Sequence, residues 1–202
     1  MVKYIMGIDV GTTGSKAMVM DSQGNIIGSG YREYKLNEPK PNWVEVGAKF
    51  LLEITFEAVK DAVDDSKLDP AAIEGISFSV NRSSFCLMDA DLNVIDDKMY
   101  IWLDSRAESV MEEINSKISP KRRNAITGMP GYNIFAIAKY YWVKKNEPET
   151  YKKTKYFSTV AMLNIPSTCS QYMSGLGSEL SMTNSRLIYG KALLSCACVI
   201  SN

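Results

Sequence analysis

Residues 7 to 16 read GIDVGTTGSK and hold the densest set of groups able to do chemistry in this chain. Asp9 closes an apolar run, Tyr4-Ile5-Met6-Gly7-Ile8, and Lys16 opens another, Ala17-Met18-Val19-Met20; the pattern predicts strand, tight turn, strand. An acid at a strand end suits a Mg²⁺ ion or its water shell, because a small hard cation selects oxygen ligands. The turn Gly11-Thr12-Thr13-Gly14-Ser15 combines unobstructed backbone N–H groups with three hydroxyls, a concave donor array that suits a phosphate. Lys16 adds a point charge for the same oxygens. A plain β-hairpin with a Gly/Thr turn and a surface Asp stands equally well on these residues alone.

The rest of the composition narrows the chemistry. The 202 residues contain no histidine, which excludes Ser-His-Asp and Cys-His catalysis, histidine-ligated zinc and histidine as a general base. Cys86 stands alone, and Cys169, Cys196 and Cys198 match neither a zinc spacing nor a disulfide framework, so a reducing compartment is expected. Carboxylates, hydroxyls, Lys, Arg and a bound Mg²⁺ are what remain. Basic and acidic residues balance at 23 each, leaving no electrostatic footprint for nucleic acid or an anionic membrane. No apolar segment reaches bilayer length, and the N-terminus runs straight into the first motif without a signal peptide; the expected location is cytoplasmic.

Positioning these groups requires a scaffold, and the sequence predicts an α/β one. A third strand is expected over Asn25–Tyr34, entered through the turn Asp21-Ser22-Gln23-Gly24. After a Pro-containing loop, Val46–Val63 places Phe50, Leu51, Ile54, Ala58 and Val59 on one helical face. A turn at Asp69-Pro70 leads to a strand over Ile73–Val80, completing a βββαβ opening. Further strands are expected at Ser84–Met88, Val94-Ile95 and Met99–Trp102, then a polar helix over Asp104–Ile118. The basic run Pro120-Lys121-Arg122-Arg123 reads as a solvated helix start. Ile134–Lys145 is expected to be an aromatic-rich helix whose Lys139, Lys144 and Lys145 snorkel to solvent. Residues 1–160 form the expected domain; 161–202, rich in Ser, Thr, Gly and Cys and poor in periodicity, form a divergent tail.

Several segments in order resemble the N-terminal half of the FGGY family of carbohydrate kinases, which includes xylulose, glycerol and gluconate kinases. They are GIDVGTTGSKAMVMDSQGNII, Asn42-Trp43-Val44-Glu45, GISFSVNRSSFCLMD from Gly75, IWLDSRA from Ile101, and Thr127-Gly128-Met129-Pro130 followed by Phe135, Lys139 and Trp142. The resemblance runs from Met1 to about Tyr156. It implies an RNase H-like N-terminal domain of the actin/Hsp70/hexokinase superfamily, with a mixed sheet and flanking helices. It also implies ATP and Mg²⁺ as cofactors, and phosphoryl transfer to a sugar or polyol hydroxyl.

By the same resemblance, Asp9, Gly11, Thr12, Thr13 and Lys16 lie near the transferring phosphate, with Asp9 toward the metal, and Asn81, Arg82 and Ser83 line the sugar pocket. Asp104, with Arg106 beside it, either touches substrate or caps the helix that starts there. Departures matter too. Where glycerol kinases carry Gln-Arg-Glu this chain has Asn81-Arg82-Ser83, and where xylulose kinases carry Met-His it has Arg82-Ser83, so the loop fits neither pattern. Family members are more than twice as long, and their catalytic aspartate lies beyond the matched region; Asp104 is the last aspartate here. The expectation is a sugar-binding half that is inactive alone. Alternatives are a non-catalytic sugar-binding or regulatory module and an interaction subunit for a separate ATP-binding half. Homo-oligomerisation is expected from an incomplete fold.

Overall fold

Alternation of small and large apolar residues builds the first sheet. The computed structural model describes residues 3–129, 131–160 and the backbone of 198–199. Strand β1 (Tyr4–Val10) buries Met6, Ile8 and Val10 on one face and pairs antiparallel with β2 (Gly14–Asp21), which pairs antiparallel with β3 (Ile26–Glu33). After helix α1 (Ala48–Ser66), β5 (Ile73–Val80) returns parallel to β1, giving the order β3-β2-β1-β5. This is the expected βββαβ opening, and the sheet is mixed.

Helix α1 lies almost flush on β3, because Gly28 and Gly30 offer no side chain to hold it away. A Cβ at Gly30 would sit 2.1 Å from the Ala58 carbonyl oxygen, and one at Gly28 2.4 Å from that of Ala62. Leu51, Ala58, Val59 and Ala62 fill the interface with Ala17 and Val19, and a buried hydroxyl pair, Ser15–Thr55 at 2.9 Å, closes it. The helix starts two residues later and ends three residues later than the expected Val46–Val63, because Glu45–Gly47 forms a short strand, β4, and Lys67 stops the helix in the left-handed region at φ 56°. Phe50, expected on the core face, is 44% exposed.

Two compact units result. The first contains residues up to Lys35 and Gly47–Asn81; the second contains Leu36–Val46 and Arg82–Phe157. The second unit is built on β6 (Phe85–Met88) and β7 (Val94–Tyr100), within the strand order β4-β7-β6-β8-β9, where β8 is Tyr156–Thr159 and β9 Cys198–Val199. The two strands expected at Val94-Ile95 and Met99–Trp102 are one: the strand runs on through left-handed Asp96 and Asp97, where its register on β6 shifts between Met88↔Val94 and Cys86↔Met99, and Trp102 falls in the turn beyond. The helix expected from Asp104 opens instead as a 3-10 turn, Arg106–Val110, before α2 (Met111–Lys117). Helix α3 (Pro120–Thr127) starts at the basic run, capped by Ser119 and ended by left-handed Gly128. Helices α4 (Ala136–Asn146) and α5 (Pro148–Lys153) follow, and Phe85, Leu87, Tyr100, Val110, Ala138, Trp142 and Val143 form this unit's core. The expectations for residues 161–197 and 200–202 lie outside the described residues.

Candidate functional site

In the first unit, the turn between β1 and β2 has its carbonyls tied back into the protein. The Val10 oxygen accepts from the Asn81 backbone N–H (3.0 Å) and its side-chain amide (3.1 Å). The Gly11 oxygen accepts from the same amide (2.9 Å) and from the Tyr34 hydroxyl (2.5 Å). Thr13 and Gly14 oxygens accept from the N–H groups of Tyr34 and Gly11, each at 3.0 Å. With these negative dipole ends occupied, an anion at the turn meets exposed Thr13 and the exposed Lys16 ammonium rather than carbonyl oxygens. Asp9 is exposed and directly opposite Lys16 in the β1–β2 register.

Tyr34 was not singled out by sequence, yet it braces this turn twice. Its phenol is pushed up to about 12 by burial, with the negative charge of Asp9 and then Tyr31 adding to the effect, so it stays a neutral donor. Asn81, one residue beyond β5, is a second brace: both contacts of its amide nitrogen go to the hairpin, while its Oδ1 is buried without a partner among the described residues. The hairpin suits a phosphate with its metal. A single exposed carboxylate matches Mg²⁺, which keeps most of its waters and takes one or two carboxylates plus phosphate oxygens. No group of three or more acidic or cysteine side chains among the described residues is arranged to hold a metal.

In the second unit, Arg82 is exposed and makes no hydrogen bond or ion pair among the described residues. Ser83 is held at φ 61°, a left-handed conformation that costs a non-glycine residue about 1 kcal/mol or more and signals a loop fixed by its surroundings. The next residue, Ser84, is buried, and its hydroxyl oxygen accepts the Trp102 N–H at 3.0 Å.

Asp104 is fully buried, and its oxygens are already engaged. Oδ2 accepts from the Val44 N–H (2.7 Å) and from Arg106 Nη2 (2.8 Å); Oδ1 accepts from Arg106 N (3.1 Å) and Nε (2.9 Å). Arg106, its side chain also fully buried, reaches Glu45 at 2.5 Å and lies on the rings of Trp43 (4.1 Å), Tyr100 (4.8 Å) and Trp142 (5.2 Å). Burial alone would pull the Arg106 proton off more readily, but the hydrogen bonds it donates to Asp104 and Glu45 outweigh this and raise the affinity for that proton. Asp104 Oδ1 takes the Arg106 N–H two residues on, but the N-cap of the 3-10 turn that follows is Ser105, whose side chain makes no cap bond.

Lys139 corrects the sequence reading. It was expected to snorkel to solvent; it is fully buried, and its ammonium donates to the Ile101 carbonyl at 2.6 Å. The reason is helical phase. Ala138, Lys139, Trp142 and Val143 share the buried face of α4, while Lys144 and Lys145 are exposed as expected. Placing Lys139 three residues before Trp142 on a helical wheel would have found it.

A family model described as the N-terminal domain of the FGGY family of carbohydrate kinases matches residues 4–183. The chain belongs to that family. Among relatives of this FGGY chain, a glycerol kinase from Trichodesmium erythraeum is 29% identical over 162 residues, covering 78% of the chain and 32% of the relative. A xylulose kinase from Bacillus subtilis is 29% identical over 156 residues, covering 77% and 31%. The crystal structure of a gluconate kinase from Lactobacillus acidophilus superposes with a TM-score of 0.75 at 25% identity, covering 82% of the chain and 33% of that protein. A ligand-bound xylulose kinase from the same organism gives 0.74 at 26%, covering 81% and 32%. The mixed α/β fold is therefore that of FGGY N-terminal domains, and the chain spans about a third of the length of the curated relatives it matches. No helix among the described residues is long and apolar enough to cross a membrane.

Proposed function

We propose that this chain is the acceptor-binding half of an ATP-dependent carbohydrate kinase that phosphorylates a sugar or polyol hydroxyl. The observation that carries the reading is the β1–β2 turn, whose Val10, Gly11, Thr13 and Gly14 carbonyls are engaged by Asn81, Tyr34 and the turn itself, beside the exposed Thr13 and Lys16. When bound, Mg-ATP supplies the transferable phosphoryl group and the cation that neutralises its developing charge. Asp9 would hold the cation or its water shell, while Thr12, Thr13 and Lys16 would hold phosphate oxygens and Gly11, whose N–H is spent on the Gly14 oxygen, would shape the turn around them. Arg82, exposed and without a hydrogen-bond or ion-pair partner among the described residues, beside the fixed Ser83, would bind the acceptor through a forked pair of hydrogen bonds. Asn81 would serve both as brace and, through its unpartnered Oδ1, as an acceptor contact. Asp104 would support the acceptor loop from behind, because its oxygens are committed.

The residues assigned here orient and bind; none accepts the proton of the attacking hydroxyl. Beyond Asp104 the sequence has no aspartate to take that part. This stretch alone is thus expected to bind acceptor without turning over ATP, as a cytoplasmic domain of residues 1–160 that works with a nucleotide-binding half. The test is calorimetric titration with pentuloses, polyols and aldonates, alongside an ADP-release assay with Mg-ATP. Binding of at least one acceptor, lost in Arg82→Ala, with only background ADP, is the expected result. Sugar-dependent ADP formation by the purified chain would contradict the division of labour. Absence of acceptor binding would contradict the acceptor-half reading itself.

A further inference from the structure

The peptide group joining Ile101 and Trp102 is clamped from both sides. Its oxygen accepts the Lys139 ammonium at 2.6 Å and the Asp104 N–H at 3.0 Å. Its N–H donates to Ser84 Oγ at 3.0 Å. An ammonium on the oxygen polarises the peptide and strengthens the bond its N–H makes on the other side, so the two contacts support each other. Ser84 directly follows Arg82 and left-handed Ser83, so the clamp ends on the base of the loop assigned above to the acceptor.

Burying an ammonium is costly without compensation. Here Asp104 compensates, Arg106 from the 3-10 turn opposes, and Glu45 from β4 neutralises Arg106 in turn; from β7 the Tyr100 hydroxyl is directed to Glu147, between α4 and α5. Two acids and two bases thus make a neutral cluster when Lys139 is protonated. Burial, only partly countered by Asp104, lowers the lysine to about 8. A lysine kept so close to losing its proton, where a methionine would fill the space at less cost, has a use other than packing.

We propose that Lys139 is a positioning residue that fixes the acceptor loop at Arg82–Ser83 by clamping the Ile101–Trp102 peptide onto Ser84. The acceptor part of the inference rests on the function proposed above; the clamp itself does not. The test is a pH titration of the amide resonances of the isotope-labelled full chain between pH 6.5 and 9.5. In the wild type the Trp102, Ser84, Ser83 and Arg82 amides should move together on one curve with a midpoint near 8. In Lys139→Met that curve should vanish, and the three loop amides should sit at new positions at neutral pH, while Gly11–Lys16 stays put. Val143→Ala, which truncates the same buried helix face without touching the clamp, should leave the loop amides unmoved and retain the titration.

Wherever an acceptor binds, Lys139→Met should weaken it about tenfold, the scale of one lost charge-assisted hydrogen bond. Loop amides that stay flat in the titrating wild type overturn the proposal even if the variant does not fold, and so does equal displacement by Val143→Ala. If no acceptor binds the wild type but the amides titrate as described, the clamp stands and the acceptor-half reading falls. Acceptor affinity unchanged in a folded Lys139→Met chain overturns the positioning role.

Discussion

Removing the Asp104 carboxylate should cost this protein more than any other single surface-neutral change in its second unit. Asp104→Ala leaves the Arg106 guanidinium fully buried with Glu45 as its one remaining ion-pair partner among the described residues, and strips the Val44 N–H of its acceptor. Breaking a buried ion pair from one side costs about 3–5 kcal/mol, and an orphaned buried N–H about 1–3 kcal/mol. The two losses overlap because Arg106 can shift toward Glu45, so the expected total is about 4 kcal/mol rather than their sum. At a urea dependence of about 2 kcal/mol per molar, the unfolding midpoint should fall by about 2 M. The assay is selective: the three tryptophans, Trp43, Trp102 and Trp142, all lie in the second unit, and two of them touch Arg106, so their fluorescence reports that unit alone. Asp104→Asn, which keeps an acceptor for Val44, should fall between wild type and Ala. A midpoint within about 0.5 M of wild type for Asp104→Ala would refute the buried cluster as the unit's electrostatic anchor.

Other expectations follow from the same contacts. Gly30→Ala should destabilise the first unit by about 3 kcal/mol, because its Cβ lands on the Ala58 backbone, whereas Gly7→Ala, with nothing nearer than 3.9 Å, should change little; far-UV circular dichroism melts compare them. Tyr34→Phe should cost about 1 kcal/mol through the lost bond to the Gly11 oxygen. It should also remove a pH dependence: folding raises the Tyr34 phenol from 10.0 to about 12, so its stabilisation is complete below pH 10 and is lost as pH rises toward 12. Lys139 has the opposite sign. Its proton affinity is lowered from 10.5 to about 8, so the unfolded chain binds more protons between those values and stability rises over that interval. The difference between wild-type and Lys139→Met urea midpoints, measured at pH 7.5 and 10, should shift accordingly.

How much of this was legible in the sequence depends on how local the cause is. The strands β1, β2, β3 and β5 follow from short alternating apolar runs with turn residues between them, and the structure places their ends within a residue or two of the reading. The role of Gly28 and Gly30 was illegible because it depends on which helix crosses the strand, information that is not local. The continuity of β7 was hidden by Asp96 and Asp97, polar residues that usually end a strand but here adopt left-handed conformations inside one. At the site, the hairpin was readable from its glycines and threonines, but its braces, Tyr34 and Asn81, act across 23 and 70 residues of chain. Lys139 was misread because a lysine among aromatics ordinarily reaches solvent; only the buried acid opposite it, far away in sequence, makes the interior tolerable.

The central claim is that the residues at positions 9–16 and 81–83 bind, respectively, a phosphate with its metal and a sugar or polyol. Amide chemical-shift mapping tests it most directly, with the labelled chain titrated separately with Mg-ATP and with pentuloses, polyols and aldonates. The account predicts that nucleotide perturbs Gly11 to Lys16 only when Mg²⁺ is present, and that at least one acceptor perturbs Arg82 and Ser83. Shifts confined to other surfaces, or none at tens of millimolar ligand, would contradict it.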